Sequence, residues 1–449
     1  MSPLASPPQS QSLGGYFQHI RRHLSGGPLG PRYYGRVSSV VGTMVEVEGL
    51  NACVGEVYGI HSQLGKVIQA EVVGLRDSKT LLMPYDRVEG MQLGCLVELQ
   101  GRPLSIPISD EMLGRVLDSN GNPIDNLGGV HAVTHQTIHN EPPGPLERGR
   151  INEIMYTGLR AFDTLNSLGK GQRMGIFAGS GVGKSVLLGM IARNSSADIN
   201  VIALIGERGR EVSEFITDAL GEEGLKRSVV VVATSDNAAM NRIKGAFTAT
   251  AIAEYFRDQG KNVLLMMDSI TRVAMAQREI GLAAGEPPTT KGYTPSVFAM
   301  LPKLLERAGK TRTGSITGLY TVFVENDDMN EPVADTVRSI LDGHIVLSRK
   351  LAHKGHYPAI DVLESISRVM PQIVKPEDRS VSMKARELLA TYREAEDLIN
   401  IGAYVKGSNP KIDEAIKKYP ALVSFLKQGM DEADFNQDHW AVLQKITDS

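Results

Sequence analysis

The chain has 449 residues, with 48 Lys and Arg against 51 Asp and Glu and a formal net charge of −3. That balance excludes a polycation built to coat nucleic acid. Hydrophobic residues make up 42% and charged residues 22%, which suits a globular protein with an ample core and roughly two to four domains. The two cysteines, Cys53 and Cys95, are too few for a disulfide scaffold and lack metal-ligand spacing, which points to a reducing, cytosolic setting. No apolar run reaches the roughly 18 residues of a membrane span, and no signal-peptide pattern opens the chain.

In chain order, residues 1–30 are rich in Ser, Pro, Gln and Gly and read as mostly disordered. One island interrupts them, from Tyr16 to Leu24. Phe17, Ile20 and Leu24 fall at i, i+3 and i+7 beside Arg21 and Arg22. This is either a frayed helix with solvated charge or a docking helix for a partner or an anionic membrane surface. Residues 31–104 read as short strands separated by glycines and polar pairs, among them Gly35–Val41, Met44–Glu48, Val67–Val73 and Cys95–Leu99. That spacing predicts a small β-barrel, expected to hold subunits together.

Residues 105–374 are predicted to alternate strands and helices as an α/β domain. Val201–Ile205, Val229–Ala233 and Val263–Met267 are unbroken apolar runs, and Ile316–Val324 is mostly apolar. Such runs belong to a parallel sheet covered on both faces. Ala238–Arg257 and Pro295–Ala308 are helix candidates. From residue 375 to 449 the strand signal is lost. Arg379–Ile401, Lys411–Lys418 and Pro420–Met430 predict a helical C-terminal domain.

The most specific pattern is Ala178-Gly179-Ser180-Gly181-Val182-Gly183-Lys184-Ser185, between an apolar strand at 173–177 and a helical stretch from Val186. Strand, glycine loop and helix is the context of a phosphate-binding loop. Backbone N–H groups turn inward around phosphate oxygens, and the helix N-terminus adds partial positive charge. Lys184 is expected to reach the β- and γ-phosphates, and Ser185 to ligate Mg²⁺. The first position is Ala where the strict pattern has Gly, which negative φ would tolerate.

Hydrolysis needs further groups. The strand Val201–Ile205 leads into Gly206-Glu207-Arg208-Gly209-Arg210-Glu211. A carboxylate at the carboxyl end of a parallel strand faces the ligand crevice, so Glu207 is the candidate to orient and polarise water. Arg208 is a candidate to steady the γ-phosphate. Val263–Met267 ends in Asp268-Ser269, the acid expected on the Mg²⁺ side, and Arg272 follows one helical turn on. Tyr357, in Gly355-His356-Tyr357-Pro358-Ala359-Ile360-Asp361, is a candidate to stack on adenine. Arg368, after Ser365-Ile366-Ser367, is a candidate guanidinium acting in trans on a neighbouring subunit's γ-phosphate. Spacing alone leaves a purely structural role open for both.

The runs Gly206–Glu211, Met266–Arg272 and His356–Asp361 resemble the rotary-type hexameric ATPases. Within that group the chain resembles the type III protein export ATPases, most of all the flagellar ones, from about residue 31 to 435. Ser185 and Gly209 favour the export branch, since the ATP synthase β subunit usually carries Thr at both positions. The resemblance implies a β-barrel, a RecA-like ATPase domain and a helical C-terminal domain in a homohexameric ring that uses ATP and Mg²⁺. It implies that Gly179, Ser180, Gly181, Val182, Gly183, Lys184, Ser185 and Val186 hold the nucleotide, with Tyr357 packing on adenine. It implies Ser185 and Asp268 on the metal, Glu207 as catalytic carboxylate with Lys184 and Arg208 beside it, and Arg368 as an intersubunit arginine finger. It also implies a stator or regulator protein on the N-terminal segment, export chaperones and substrates on the C-terminal domain, and peripheral contact with export-gate proteins at the inner membrane. Nucleic acid is not expected as a partner.

Three other functions compete. A rotary synthase's catalytic subunit carries an acidic segment where it meets the rotor, and 398–406 here reads Leu-Ile-Asn-Ile-Gly-Ala-Tyr-Val-Lys. An RNA-translocating hexamer should offer base-stacking aromatics with basic residues. The barrel region offers Tyr33, Tyr34, Tyr58 and Tyr85 without a matching basic run. A nucleotide-binding subunit without turnover would not need Glu207 and Arg368.

Overall fold

A computed structural model describes residues 34–86, 88–100, 104–324, 328–432 and 438–448. The 16–24 island lies outside the described residues.

Six antiparallel strands form a closed barrel: Tyr34–Val41, Met44–Glu48, Val57–His61, Val67–Arg76, Lys79–Pro84 and Leu96–Leu99. The first pairs with both the second and the last, so no edge is left open. Val45, Val47, Ile60, Val72, Leu82 and Val97 fill the interior. The barrel sits on the following domain through Tyr85, whose carbonyl accepts from Asn241 Nδ2 at 2.6 Å and whose ring lies 4.6 Å from Lys244 Nζ.

The expected alternation of strands and helices does not begin at residue 105. Ser105–Ile108 pairs with Thr134–Thr137 as a separate two-stranded sheet, and only the short Val116–Leu117 joins the main sheet. Residues 138–153 carry neither helix nor strand. Their start is tied down by the buried Arg307, which donates to Glu254 at 2.8 and 2.7 Å and to the Ile138 carbonyl at 2.6 Å, and by Asn140, which donates to the same Glu254 at 2.7 Å.

The main sheet runs, in spatial order, Ile360–Ser367, Gly343–Leu347, Arg173–Ala178, Ser315–Phe323, Asn262–Asp268, Ile199–Ile205, Ser228–Ala233 and Val116–Leu117. All neighbours are parallel except the first pair, which is antiparallel. Gly309–Lys310 adds a short antiparallel piece. The apolar runs read from the sequence are its central strands, buried on both faces: every residue of Ile199–Ile205 and Ser228–Ala233 is buried. Helices Ala239–Asp258 and Ile270–Ala283 lie over the sheet, as does Lys184–Asn194.

The C-terminal part is helical: Pro376–Asn400, Pro410–Leu426 and His439–Asp448. The sequence predicts two helices on either side of Pro420, but one helix passes through it. Leu422, Phe425 and Leu426 are buried beyond the proline, and Tyr419 stacks on Tyr392 with ring centroids 3.5 Å apart. That packing outweighs the roughly 3 kcal/mol cost of an interior proline. No described helix is long and apolar enough to cross a membrane.

Candidate active site

The strand Arg173–Ala178 delivers the phosphate loop to the carboxyl edge of the sheet. Gly183 has φ of +87°, left-handed backbone that glycine adopts without strain, and it caps the helix Lys184–Asn194. Residues 179–181 and 183–186 line a cleft of about 490 Å³ together with Glu207 and Arg208. Val182 does not line it; that side chain is buried in the core.

Two neighbouring strands supply the acids. Leu204 pairs with Asp268, so Glu207, just past the end of Ile199–Ile205, comes out beside Asp268. Gly206 makes the turn from Ile205 into Glu207. Its φ is +74°, and a Cβ there would stand 2.8 Å from that of Arg272, which also lines the cleft. Lys184 Nζ sits between the two carboxylates, 2.5 Å from Asp268 Oδ1 and 3.5 Å from Glu207 Oε1. Asp268 is 3% exposed and also accepts from the Thr321 hydroxyl at 2.7 Å.

Burial works against the Lys184 charge, but Asp268 and Glu207 together outweigh it and hold the ammonium above its ordinary range. Glu207 moves the other way from most paired acids. Burial, then repulsion from Asp268, outweigh the pull of Lys184 and raise it to about 7. A carboxylate poised near neutrality suits proton abstraction at physiological pH. Glu211, which also lines the cleft, adds to the rise through a side-chain hydrogen bond to Glu207. Arg208 is exposed and lies 3.5 Å from Glu211.

Tyr357 stands over the loop: a Cβ on Gly183 would be 3.6 Å from its ring. The turn after the helix Pro410–Leu426 meets it from behind. Gln428 N donates to the Tyr357 carbonyl at 2.9 Å, and Gln428 Nε2 to the Gly158 carbonyl at 2.7 Å. The helix that starts at Lys184 joins the same turn, because Arg193 donates to the Met430 carbonyl at 2.7 Å.

Arg368 is not in this cleft. Its N–H donates to the Asp342 carbonyl at 3.0 Å, and Asp342 N–H to the Arg173 carbonyl at 2.9 Å. It therefore lies level with the first residue of the strand whose last residue, Ala178, opens the phosphate loop. Five residues of strand put the loop about 16 Å away, beyond the reach of an arginine side chain.

Three comparisons bear on this geometry. Residues 158–367 match the family model of the ATP synthase alpha/beta nucleotide-binding domain, and residues 37–101 the beta-barrel domain of the same family. Residues 374–445 match the model of the type III secretion EscN ATPase C-terminal domain. The "Flagellum-specific ATP synthase" of Bacillus subtilis is 57% identical over 92% of this chain and 95% of its own length. The "Type 3 secretion system ATPase" of Xanthomonas euvesicatoria is 51% identical, covering 93% and 95%. The chain belongs to the flagellar and type III secretion ATPase family. Among solved structures, the assembled ATPase EscN of enteropathogenic E. coli superposes with a TM-score of 0.88 at 47% identity, over 92% of this chain and all of that one. EscN in complex with its central stalk EscO superposes with a TM-score of 0.85 at 45% identity.

For a member of this ATPase family, the donor set fits nucleotide and a hard cation. The loop offers open backbone around Gly181, where an added Cβ would meet nothing within 4 Å. Ser185 and Asp268 are oxygen donors of the kind Mg²⁺ takes, and a cation, the Lys184 ammonium, already rests on Asp268. Sequence reasoning did not find Thr321, Ser269 or Phe323. Thr321 touches Asp268, and the other two line the cleft. Ser269 follows Asp268 directly and was readable. Thr321 and Phe323 sit in a strand about 50 residues further on and carry no local signal.

Proposed function

We propose that the chain hydrolyses ATP as one subunit of a homohexameric ring that energises protein export through a flagellar or virulence type III apparatus, including chaperone release and substrate unfolding. The observation that carries the reading is the Lys184–Asp268–Glu207 cluster at the mouth of the phosphate loop, in a chain of this family.

In this reading Lys184 leaves the two carboxylates for the β- and γ-phosphates, while the loop N–H groups hold the other phosphate oxygens. Mg²⁺, held by Ser185 and Asp268, neutralises charge on the phosphates when bound. Glu207 orients water towards the γ-phosphorus and takes its proton as the bond between that phosphorus and the ADP oxygen breaks. Arg208 borders the space beside Glu207 and Glu211, where it can steady the γ-phosphate. Tyr357 packs on adenine. Arg368, remote from the loop of its own chain, serves the site of a neighbour. The barrel at 31–104 holds subunits together around the ATPase domain at 105–374.

Residues 1–30 bind a stator-type regulator, and the helical domain at 375–449 receives chaperones and export substrates. The protein works in the cytoplasm, in peripheral contact with export-gate proteins of the inner membrane. Nucleic acid is not a partner: Tyr58 and Tyr85 are 3% and 5% exposed, which removes two of the barrel's candidate base-stacking rings. The synthase reading is not taken, because the C-terminal region matches the secretion ATPase model.

The test is ATPase rate per subunit against protein concentration. A site shared between subunits gives a rate that rises with concentration towards a plateau, in step with ring formation by sedimentation. A rate per subunit that stays constant down to monomer would refute the shared site.

A further inference from the structure

We propose that Thr321 is a positioning residue that aims the Asp268 carboxylate at the metal side of the site; this rests on the reading of Asp268 given above. Thr321 lies in the central strand Ser315–Phe323, where Ile316, Leu319, Tyr320 and Val322 are buried hydrophobic residues, and is itself 0% exposed. A hydroxyl buried in such a run is costly unless it has a partner. It has one: Oγ1 donates to Asp268 Oδ1 at 2.7 Å, the common length for an O–H···O bond, while its other acceptor, the Met267 carbonyl, is at 3.4 Å.

The strand places this contact between the two halves of the site. Thr321 pairs with Ile176 on the strand that delivers the phosphate loop. The preceding residue, Tyr320, pairs with Met267 on the strand that ends in Asp268. One hydroxyl thus fixes the acid relative to the loop. Its value grows during turnover. Asp268 Oδ1 receives Lys184 Nζ and Thr321 Oγ1. When Lys184 moves to the phosphates, the Thr321 bond is the side-chain contact that stays. Without it, a buried carboxylate is free to rotate away from the position a cation needs.

The experiment uses the full chain with Thr321→Val, Thr321→Ser and Asp268→Asn. Affinity for a non-hydrolysable ATP analogue is measured by calorimetry in excess Mg²⁺ and again in EDTA, and the Mg²⁺ concentration for half-maximal turnover is measured alongside. Valine keeps the shape and β-branching and removes the donor. It is expected to reduce the Mg²⁺-dependent gain in affinity by about tenfold, the scale of a hydrogen bond to a charged group. Affinity in EDTA is expected to stay at the wild-type value, the Mg²⁺ half-saturation to rise, and serine to restore both. A valine variant with the wild-type Mg²⁺ gain overturns the proposal. So does a serine variant as impaired as valine, since that would trace the effect to the methyl group. If Asp268→Asn loses the Mg²⁺ gain and Thr321→Val keeps it, only the role of Thr321 fails. If Asp268→Asn keeps it too, the reading of Asp268 fails. Should valine not fold, Thr321→Ala against Thr321→Ser makes the same comparison.

Discussion

Replacing Glu207 with glutamine tests the assignment of the base with little change of shape. Glu207 is held at about 7, so at neutral pH it is about half protonated in the nucleotide-free protein. Glutamine imitates the protonated form. The free energy separating a half-protonated group from its neutral form is RT ln 2, about 0.4 kcal/mol. The phosphates of ATP bring negative charge to this cluster and favour the protonated form, so the glutamine variant is expected to bind ATP as well as wild type or up to about twofold tighter. Lys184 keeps its shorter contact, the one to Asp268. Turnover behaves differently: losing a positioned general base costs about 10²–10⁴-fold, or about 2.7–5.5 kcal/mol of barrier. ATP binding and phosphate release are to be measured on one preparation at about pH 7. Turnover within about tenfold of wild type would refute the assignment, as would loss of binding together with turnover.

The same raised value fixes two pH dependences. Wild-type kcat/KM should climb through about pH 7 and flatten above it, because the base must be ionised. For stability the sign is opposite. Between the ordinary 4.5 and about 7 the folded protein holds more protons at Glu207 than the unfolded chain, so this group's contribution falls as pH rises. The glutamine variant escapes that loss. Its melting temperature without nucleotide should gain on wild type between about pH 5 and about pH 8.

Arg368→Ala rings should lose roughly 10³–10⁵ in turnover and regain activity when mixed with Lys184→Ala subunits that keep Arg368; absence of rescue in mixed rings counts against a shared site. Deleting residues 1–30, which precede the first barrel strand, should leave ATP hydrolysis by the purified ring intact and abolish regulator binding, and an unchanged pull-down would contradict the docking role. Arg307→Ala leaves the buried Glu254 carboxylate without its ion-pair partner, with the Asn140 amide still donating to it, and frees the Ile138 carbonyl. The expected loss is about 3–5 kcal/mol in denaturant unfolding; a loss under about 1 kcal/mol would show the site relaxes or hydrates.

What the sequence made legible was local. Val201–Ile205 and Val263–Met267 announce strands because a sheet covered on both faces needs no polar alternation; Glu207 stands just past the first of these, Asp268 ends the strand that holds the second, and Lys184 closes the glycine loop after a third strand. What it hid depended on distant partners. The barrel strand Val57–His61 is interrupted by Gly59, which looks like a breaker. The gap admits the Gln100 and Val67 side chains, which stand 2.2 and 2.8 Å from where a Cβ would be. Lys79–Pro84 is buried at five consecutive positions and ends in proline, so it shows no alternation. The helix His439–Asp448 carried a readable start, since Asp438 accepts from the N–H groups of Trp440 and Ala441, but it is only ten residues long and Leu443 is its one fully buried hydrophobic residue. Pro420 misled for the converse reason: local propensity favoured a break, and packing beyond it decided otherwise. At the site, Thr321 behind Asp268 and Phe323 on the cleft wall were invisible because contact across a sheet leaves no trace in spacing.

The placement of Arg368 at the far end of the strand from its own phosphate loop has an arithmetical consequence. If each cleft is completed by the next chain's arginine, an open row of subunits has one working cleft fewer than it has chains, and a lone chain has none. Closing the row adds a cleft without adding a chain. Catalytic output then counts interfaces, so whatever seals or opens the last seam governs how much ATP the assembly consumes.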